Sequence, residues 1–420
     1  MKRINPNIKR VEKSNDFVGI KVNKNQIDIY VPQMFRTHKL GDGLYDKETY
    51  KDLLLFLKSI NIAKKINHEK ISGSSSETEQ WPIESYLWII QDYIENGYYY
   101  NREKIYSNDR SGKIDWKKTL KSVPIYSDGN IIYDKIVTSK MSASNDIIAQ
   151  IYRICLKQSV NRIGWAFNYN IFVEVQQLKS IKEMIHIVNK ELVSTFDDIK
   201  RLRFRHMLSI LQSLSDENAL SDKTTYGIEN YYYVFETMVD SLFHGIDGKE
   251  KKKYNPSGYW ILNNQEEIES SNLRPDTIYK NIKSNETFII DAKMYQYGYT
   301  KKIDDLHKTS SMQKQITYGD FVHHYVDPKS NIRNAFVLPF NKELFDRDPN
   351  VQFNDDGNLA YIGTARVNYR NDRDAQPYDT IYAFMVDFNF LLRNYKTRDT
   401  KYIETLCETI NKKLVNAIDK

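Results

Sequence analysis

Two aspartates and a lysine in neighbouring apolar segments have the types and spacing to do chemistry together. Asp276 precedes one apolar run, and Asp291 and Lys293 end the next, which begins at Phe288. A polar turn at residues 283–285 separates the runs, so we predict a β-hairpin. If the turn centres on positions 283 and 284, antiparallel pairing places position 276 opposite position 291. The hairpin would bring the two acids together.

Asp291 and Lys293 are two positions apart, so on a strand both side chains point to the same face. Paired carboxylates repel each other, and either a shared proton or a divalent cation relieves that repulsion. Hard oxygen ligands of this kind suit Mg²⁺, with Mn²⁺ as a substitute. Lys293 could then orient a metal-activated water for attack on a phosphate. The pattern therefore indicates metal-dependent phosphodiester hydrolysis.

The elements around the hairpin must position these residues, and their order predicts the fold. A helix-like segment carries Glu236, a third acid, and a short apolar strand follows at residues 259–262. After the hairpin, a second helical segment carries Gln315, with Gln313 as the alternative, and residues 335–338 form a further apolar run. We predict a mixed α/β fold whose central mixed sheet is flanked by helices.

The spacing Pro275-Asp276, fourteen residues, then Asp291-Ala292-Lys293 resembles the motif of the PD-(D/E)XK nuclease superfamily. The resemblance implies that Asp276, Asp291 and Glu236 bind the metal. It also implies that Lys293 positions the attacking water and that Gln315 steadies the site.

Other segments resemble the LlaJI restriction endonuclease family, whose nuclease subunits are McrC-like. They are residues 17–20, Phe235-Glu236 and the string Ser-Gly-Lys-Ile-Asp-Trp-Lys-Lys-Thr-Leu at residues 111–120. Gln315 and Tyr318 resemble the Gln-and-Tyr helix motif of the McrC-like branch, with one residue fewer between them. The resemblance implies double-stranded DNA as substrate, a McrB-related AAA+ GTPase as partner and a cognate DNA methyltransferase in the same system. The sequence has no P-loop motif, so a motor would be a separate polypeptide.

The length of 420 residues is enough for more than one domain. We predict an N-terminal α+β domain at residues 1–160 for DNA or partner contacts, with a β-hairpin at residues 17–31 and a surface loop at residues 72–79. A helical connector is predicted at residues 161–222, and the nuclease domain at residues 223–420.

The charge balance permits DNA binding without demonstrating it. The chain has 61 Lys and Arg residues against 55 Asp and Glu residues, a net charge of +6. Basic clusters are candidates for DNA or partner contacts, although a solvated surface is at least as good an interpretation of each. The candidates are Lys117, Lys118, Arg201, Arg203, Arg205, Lys251 and Lys252.

Several other features are predicted to be structural. Cys155 and Cys407 lie far apart beside Ile and Leu, so we expect buried thiols without a disulfide. Asp387 follows an apolar strand and is predicted to cap a helix, and His323 and His324 are adjacent, which does not suit a metal pair on one helix face. The sequence shows neither a bilayer-length apolar run nor a secretion signal at its start, so we expect a cytoplasmic protein.

These observations together predict an Mg²⁺-dependent DNA endonuclease subunit of a restriction-modification system. Two alternatives remain open at this stage. One is a catalytically idle DNA-binding or scaffold subunit that docks a motor. The other is a DNA repair or recombination nuclease on the same fold.

Overall fold

The computed structural model describes most of the chain. The residues outside the description are 1–5, 14, 24–25, 42–43, 71–81, 108–112, 128–129, 134, 145–146, 165–170, 176–178, 216–222, 264–265, 271, 347, 371–375 and 419–420. The predicted surface loop at residues 72–79 therefore lies outside the described residues, as do Ser111 and Gly112.

The secondary structure alternates between strands and helices along the chain. The strands are β1 (Asn7–Val11), β2 (Val18–Asn23), β3 (Gln26–Pro32), β4 (Asn101–Ser107), β5 (Lys113–Ile114), β6 (Ile125–Ser127), β7 (Asn130–Ile132), β8 (Thr138–Ser144), β9 (Lys223–Ile228), β10 (Tyr259–Ile261), β11 (Glu267–Glu269), β12 (Thr277–Asn281), β13 (Glu286–Ala292), β14 (Asn331–Phe340), β15 (Gln352–Phe353), β16 (Leu359–Ala365) and β17 (Ile381–Asp387).

The α-helices are α1 (Lys47–Lys70), α2 (Ile83–Asn96), α3 (Trp116–Thr119), α4 (Ile147–Ile163), α5 (Ile181–Ser194), α6 (Asp198–Ser215), α7 (Tyr232–Leu242), α8 (Gly248–Lys251), α9 (Tyr297–Thr300), α10 (Thr309–Phe321), α11 (Phe388–Asn394) and α12 (Lys401–Ile418). A π-helical turn, Val322–Val326, extends α10. Short 3₁₀ turns lie at Lys252–Tyr254, Ile303–Asp305, Lys342–Phe345, Asn368–Arg370 and Pro377–Asp379. Within the described residues, no helix is both long enough and apolar enough to cross a membrane.

The chain divides into two compact units. One unit comprises residues 78–224, and the other combines residues 6–77 with residues 225–420. This division differs from the predicted boundaries at positions 160 and 222, because the first segment of the chain packs with the last. Arg36 pairs with Asp387, a contact across 351 positions that no local pattern reveals.

The first unit contains the whole range predicted as the connector. Helices α5 and α6 confirm helical structure there, but residues 171–175 are not helical. Helix α2 packs against α4 and α6, strands β4, β8 and β5 form a sheet of order β4-β8-β5, and β6 and β7 form a separate hairpin. The predicted N-terminal hairpin is confirmed as β2 and β3, but it lies in the second unit, in a sheet of order β1-β3-β2-β9.

The second unit is built around a six-stranded mixed sheet of order β12-β13-β14-β17-β16-β15. Strands β13, β14 and β17 are parallel, and β12 pairs antiparallel with β13. Thr277 lies opposite Ile290, which is the predicted register of the hairpin. All seven residues of β13 are buried, including Glu286 and Asp291, so the strand is covered on both faces.

Two strands lie elsewhere than the predicted core order suggests. Strand β10, predicted to join the central sheet, instead pairs with β11 in a separate two-stranded sheet, where all three of its residues are exposed. Strand β17, the apolar strand that ends at Asp387, was not among the predicted core elements, yet it pairs with both β14 and β16. Its apolar residues are buried in this position, whereas β10 has no buried face.

Candidate active site

The ammonium of Lys293 lies among three carboxylates. Its Nζ is 3.0 Å from Asp276 Oδ2, 3.1 Å from Asp291 Oδ1 and 3.4 Å from Glu236 Oε1. These four residues come from a helix and from a hairpin far along the chain, and the fold brings them together as the sequence predicts. We call Glu236, Asp276, Asp291 and Lys293 the acidic cluster.

The end of the β12–β13 hairpin positions three members of the cluster. Asp276 immediately precedes β12, and its Oδ2 accepts a hydrogen bond of 2.9 Å from the Ala292 amide. Lys293 follows β13 directly, and its amide donates to the Val337 carbonyl at 3.0 Å, which anchors its backbone to β14. The fourth member, Glu236, projects from α7, a helix that contacts both strands of the hairpin.

The cluster carries three carboxylates and one ammonium in a sparsely solvated place. Side-chain exposure is 4% for Asp291, 14% for Asp276 and 19% for Glu236. Burial, followed by the charge of Asp276, raises the pKa of Glu236 to about 8 and that of Asp291 to about 7. Burial opposes the charge on Lys293, but the surrounding carboxylates outweigh it and raise the lysine pKa above its ordinary value. The site therefore favours added positive charge, supplied either by a retained proton or by a further cation.

Gln315 is near the cluster but contacts the sheet rather than the carboxylates. Its Nε2 donates to the Ile289 carbonyl at 2.8 Å and to Asn334 Oδ1 at 3.2 Å, so it links α10 to β13 and β14. The side chain is buried, whereas the alternative, Gln313, is exposed. Gln315 Oε1 has no hydrogen-bond partner among the described residues.

Sequence reasoning missed two residues beside the cluster. Lys314 is a second cation whose charge acts on Asp291, and its position next to Gln315 was the available signal. His307 is buried and stacks on Phe336 with ring centroids 3.6 Å apart. Burial, with the charge of Lys293, lowers the His307 pKa to about 3, so the ring is neutral. In the sequence, His307 is an isolated histidine between two helices, and no pattern around it indicates that it lies beside the acidic cluster.

The candidate contacts for DNA or partner fall into two groups. The prediction of a DNA or partner contact at Arg203 was wrong. Its guanidinium is buried and hydrogen-bonded to Asp92, so it is not available to a ligand. Lys251 is bonded to Asp240 and to the Asp276 carbonyl. The others remain predictions: Arg201 is half-buried, and Lys117, Lys118, Arg205 and Lys252 are exposed.

The residues predicted to be structural agree with their surroundings. Asp387 caps α11 by accepting the Phe390 amide at 2.8 Å, and it also pairs with Arg36, which confirms the predicted cap. Cys155 and Cys407 are buried free thiols. His323 and His324 lie in the π-helical turn Val322–Val326.

A metal ion fits the chemistry of the acidic cluster, although the ammonium of Lys293 stands among its ligands. Across the described ranges of the chain, no group of three or more His, Cys, Asp or Glu side chains forms a ready metal-binding arrangement. The three carboxylates instead converge on Lys293, as the distances from its Nζ show. Carboxylate oxygens are the hard donor atoms that Mg²⁺ prefers.

The geometry defines an acidic, lysine-centred site at the end of a hairpin in a mixed α/β sheet. The profile of the LlaJI restriction endonuclease family matches residues 17–359, which include all four residues of the cluster. The chain therefore belongs to the LlaJI restriction endonuclease family. No curated protein matches the chain significantly.

Solved structures with some similarity come from Thermococcus gammatolerans. A half-complex from a tetradecameric assembly of McrB AAA+ hexamers with bound McrC aligns at 12% identity with a TM-score of 0.33, over 90% of this chain and 81% of that chain. A cryo-EM structure of the McrBC complex aligns at 11% identity with a TM-score of 0.19, over 54% of this chain and 66% of that chain. Both scores are below 0.5, so neither structure supports a statement about this chain.

Proposed function

We propose that the chain is the Mg²⁺-dependent DNA endonuclease subunit of a restriction-modification system, with a PD-(D/E)XK active site at the acidic cluster. The observation that carries the proposal is the convergence of Glu236, Asp276 and Asp291 on Lys293, at 3.0 to 3.4 Å. Family membership supports the same reaction class, because the matched family is one of restriction endonucleases.

The carboxylates of Glu236, Asp276 and Asp291 would hold the metal. When bound, Mg²⁺ or Mn²⁺ would supply Lewis-acid stabilisation of charge on the phosphate and a water of lowered pKa. A bound cation would also favour the charged forms of Glu236 and Asp291, whose pKa values are raised by burial and by the charge of Asp276.

Lys293 would orient the attacking water and stabilise negative charge at the phosphate. Its ammonium is held by three carboxylates in a place of low exposure, and its backbone is anchored by the hydrogen bond to Val337. Gln315 would steady the site by joining α10 to the strand that carries Asp291. Each role depends on a side chain whose position the sheet determines.

The proposed partners follow from the family resemblance rather than from contacts of this chain. They are double-stranded DNA, a separate McrB-related AAA+ GTPase that drives cleavage and a cognate DNA methyltransferase that protects host sites. The candidate contacts that remain are the half-buried Arg201 and the exposed Lys117, Lys118, Arg205 and Lys252.

Cleavage of supercoiled plasmid tests the proposal. Purified protein is incubated with Mg²⁺ or Mn²⁺, alone and with an AAA+ neighbour and GTP. Wild type should nick or linearise the plasmid, and Lys293→Ala should reduce the rate by about a hundredfold or more. Lys283→Ala is the matched control, because Lys283 is exposed in the turn of the same hairpin.

The same experiment separates the alternatives. If the folded wild type does not cut under any of these conditions, the endonuclease proposal fails in favour of an idle scaffold. Absence of Mg²⁺ or Mn²⁺ binding by isothermal titration would support that outcome. Cutting restricted to ends or branched DNA would instead favour a repair or recombination nuclease.

A further inference from the structure

Lys251 joins two parts of the structure that carry the acidic cluster. Its Nζ donates to Asp240 Oδ1 at 2.7 Å and to the backbone carbonyl of Asp276 at 2.6 Å. The Lys251 side chain is only 17% exposed. Both hydrogen bonds are short and involve a charged donor, the stronger class of hydrogen bond in proteins.

The two acceptors belong to the supports of different cluster residues. Asp240 is four positions after Glu236 on α7, so the two side chains lie on the same side of the helix, one turn apart. Asp276 is itself a cluster member, with its Oδ2 at 3.0 Å from Lys293 Nζ. One ammonium thus connects the helix that carries Glu236 to the backbone that carries Asp276.

The surrounding backbone is shaped around this contact. A Cβ at Gly245 would lie 2.0 Å from Asp240 Oδ1, so a larger residue there would displace the carboxylate. The Gly245 amide donates to the Asp240 carbonyl at 2.9 Å, and the next amide, of Ile246, donates to the Ile278 carbonyl at 2.8 Å. The segment between α7 and Lys251 is therefore hydrogen-bonded to β12.

A second ion pair fastens the short helix that carries Lys251. Glu250, its neighbour on α8, pairs with Lys280 of β12 at 3.5 Å. Three positions after Lys251, Tyr254 is fully buried in the cluster of apolar side chains that includes Ile278. Lys251 is thus held on a segment that follows β12 along its length.

We propose that Lys251 is a positioning residue that sets the spacing between Glu236 and Asp276. It ties the α7 carboxylate Asp240 to the Asp276 peptide, and through them fixes the two acids on either side of Lys293. Its effect on cleavage rests on the proposed function, whereas its effect on the geometry of the cluster does not. This role replaces the DNA contact predicted for Lys251 from the sequence.

The physical consequence of losing the ammonium follows from the two acceptors. Lys251→Met keeps the length and apolar stem of the side chain but leaves Asp240 and the Asp276 carbonyl without their donor. Asp276 would then be free to shift relative to α7. A displacement of about 1 Å in a catalytic group costs on the order of a hundredfold in rate.

Two measurements on Lys251→Met test the proposal. The first is hydrogen exchange at the Ala292 amide, which donates to Asp276 Oδ2 and so reports the position of that carboxylate. It should exchange at least about tenfold faster than in wild type. The second is steady-state cleavage, where kcat should fall by about ten- to a hundredfold and KM for DNA should stay within about twofold.

Matched variants keep the result specific. Lys249→Met removes an exposed lysine from the same short helix and should leave both the exchange and the kinetics as in wild type. Lys251→Arg can reach the same acceptors and should restore part of kcat. If Lys251→Met does not fold, Asp240→Asn tests the other end of the contact with little change in shape, and it should accelerate exchange at Ala292 in the same way.

The outcomes distinguish this inference from the proposed function. Unchanged exchange at Ala292 would overturn the positioning role whether or not the protein cuts DNA. A rise in KM with unchanged kcat would make Lys251 a DNA contact. Faster exchange in a protein whose wild type never cuts would support the positioning role and contradict the endonuclease proposal.

Discussion

Each unit of the molecule holds a group of buried charges, and the two groups differ in their balance. In the first unit, the Arg203 guanidinium donates two hydrogen bonds of 2.8 Å to Asp92, one to each oxygen. Tyr152 adds a third, from its hydroxyl to Asp92 Oδ2 at 3.0 Å. In the second unit, three carboxylates share the single ammonium of Lys293.

The difference separates a structural pair from a functional cluster. One cation and one anion with satisfied hydrogen bonds offset much of their desolvation cost, and nothing further needs to bind. One ammonium cannot compensate three carboxylates, and burial together with the charge of Asp276 raises the pKa values of Glu236 and Asp291. Such imbalance in a partly accessible place is typical of sites that bind a cation or transfer protons. Removing one acid should therefore destabilise the first unit strongly and the second unit little.

The largest effect is expected from Asp291→Ala. Cleavage should fall by at least about a hundredfold, because the variant loses a metal ligand from the centre of the site. The free energy of unfolding should change by no more than about 1 kcal/mol, because the lost carboxylate is one of a repelling set. Plasmid cleavage and urea denaturation measure the two quantities. Asp355→Ala, at an exposed turn, is the control, and retained cleavage by Asp291→Ala would remove Asp291 from the site.

The balanced pair should respond in the opposite way. Asp92→Ala leaves the buried Arg203 guanidinium without its partner and should lower the free energy of unfolding by about 3–5 kcal/mol. Urea denaturation measures the loss. Combining Asp92→Leu with Arg203→Met should recover most of the stability, since an apolar pair of similar volume avoids the desolvation cost. If Asp92→Ala unfolds at the same urea concentration as wild type, the Asp92–Arg203 pair does not stabilise the first unit. The contrast between the two groups of buried charges would then be wrong.

The site was predictable from the sequence where its geometry is local. The hairpin register follows from a polar turn and two apolar runs, and that register alone places Asp276 beside Asp291. Arg203 was misread because its partner, Asp92, is 111 positions away, so its basic neighbours on α6 suggested a surface cluster. Lys251 was misread for a similar reason, since the carbonyl it bonds belongs to a residue 25 positions away.

The arrangement of domains was less predictable than the hairpin. The contact of Arg36 with Asp387 depends on side chains from opposite ends of the chain, and Asp52 receives the guanidinium of Arg393 at 2.7 Å across 341 positions. Composition and periodicity report only nearby residues, so they placed the first segment with the residues that follow it. The pairing of β9 with β2 was unpredictable for the same reason, because most of the first unit lies between these two strands in the sequence.

The smallest predicted effect is an opposite pH dependence of the two units, measured with EDTA present. Burial and Asp276 raise the Glu236 pKa from 4.5 to about 8, so between these values the folded chain keeps a proton that the unfolded chain releases. The free energy of unfolding should therefore decrease as pH rises through this range. Glu236→Gln abolishes that contribution, and its stability advantage over wild type should grow by about 1 kcal/mol between pH 5 and pH 8.

His206 in the first unit provides the opposite case. Burial lowers its pKa from 6.5 to about 4, so below pH 6.5 the unfolded chain takes up a proton that the folded chain excludes. The free energy of unfolding should decrease as pH falls from 6.5 toward 4, and His206→Phe, which keeps a ring beside Trp88, should weaken that dependence. Urea denaturation at each pH gives both curves. The stability of Glu236→Gln relative to wild type should increase as pH rises, and that of His206→Phe should increase as pH falls. If both differences change in the same direction with pH, the contrast between the two units is wrong.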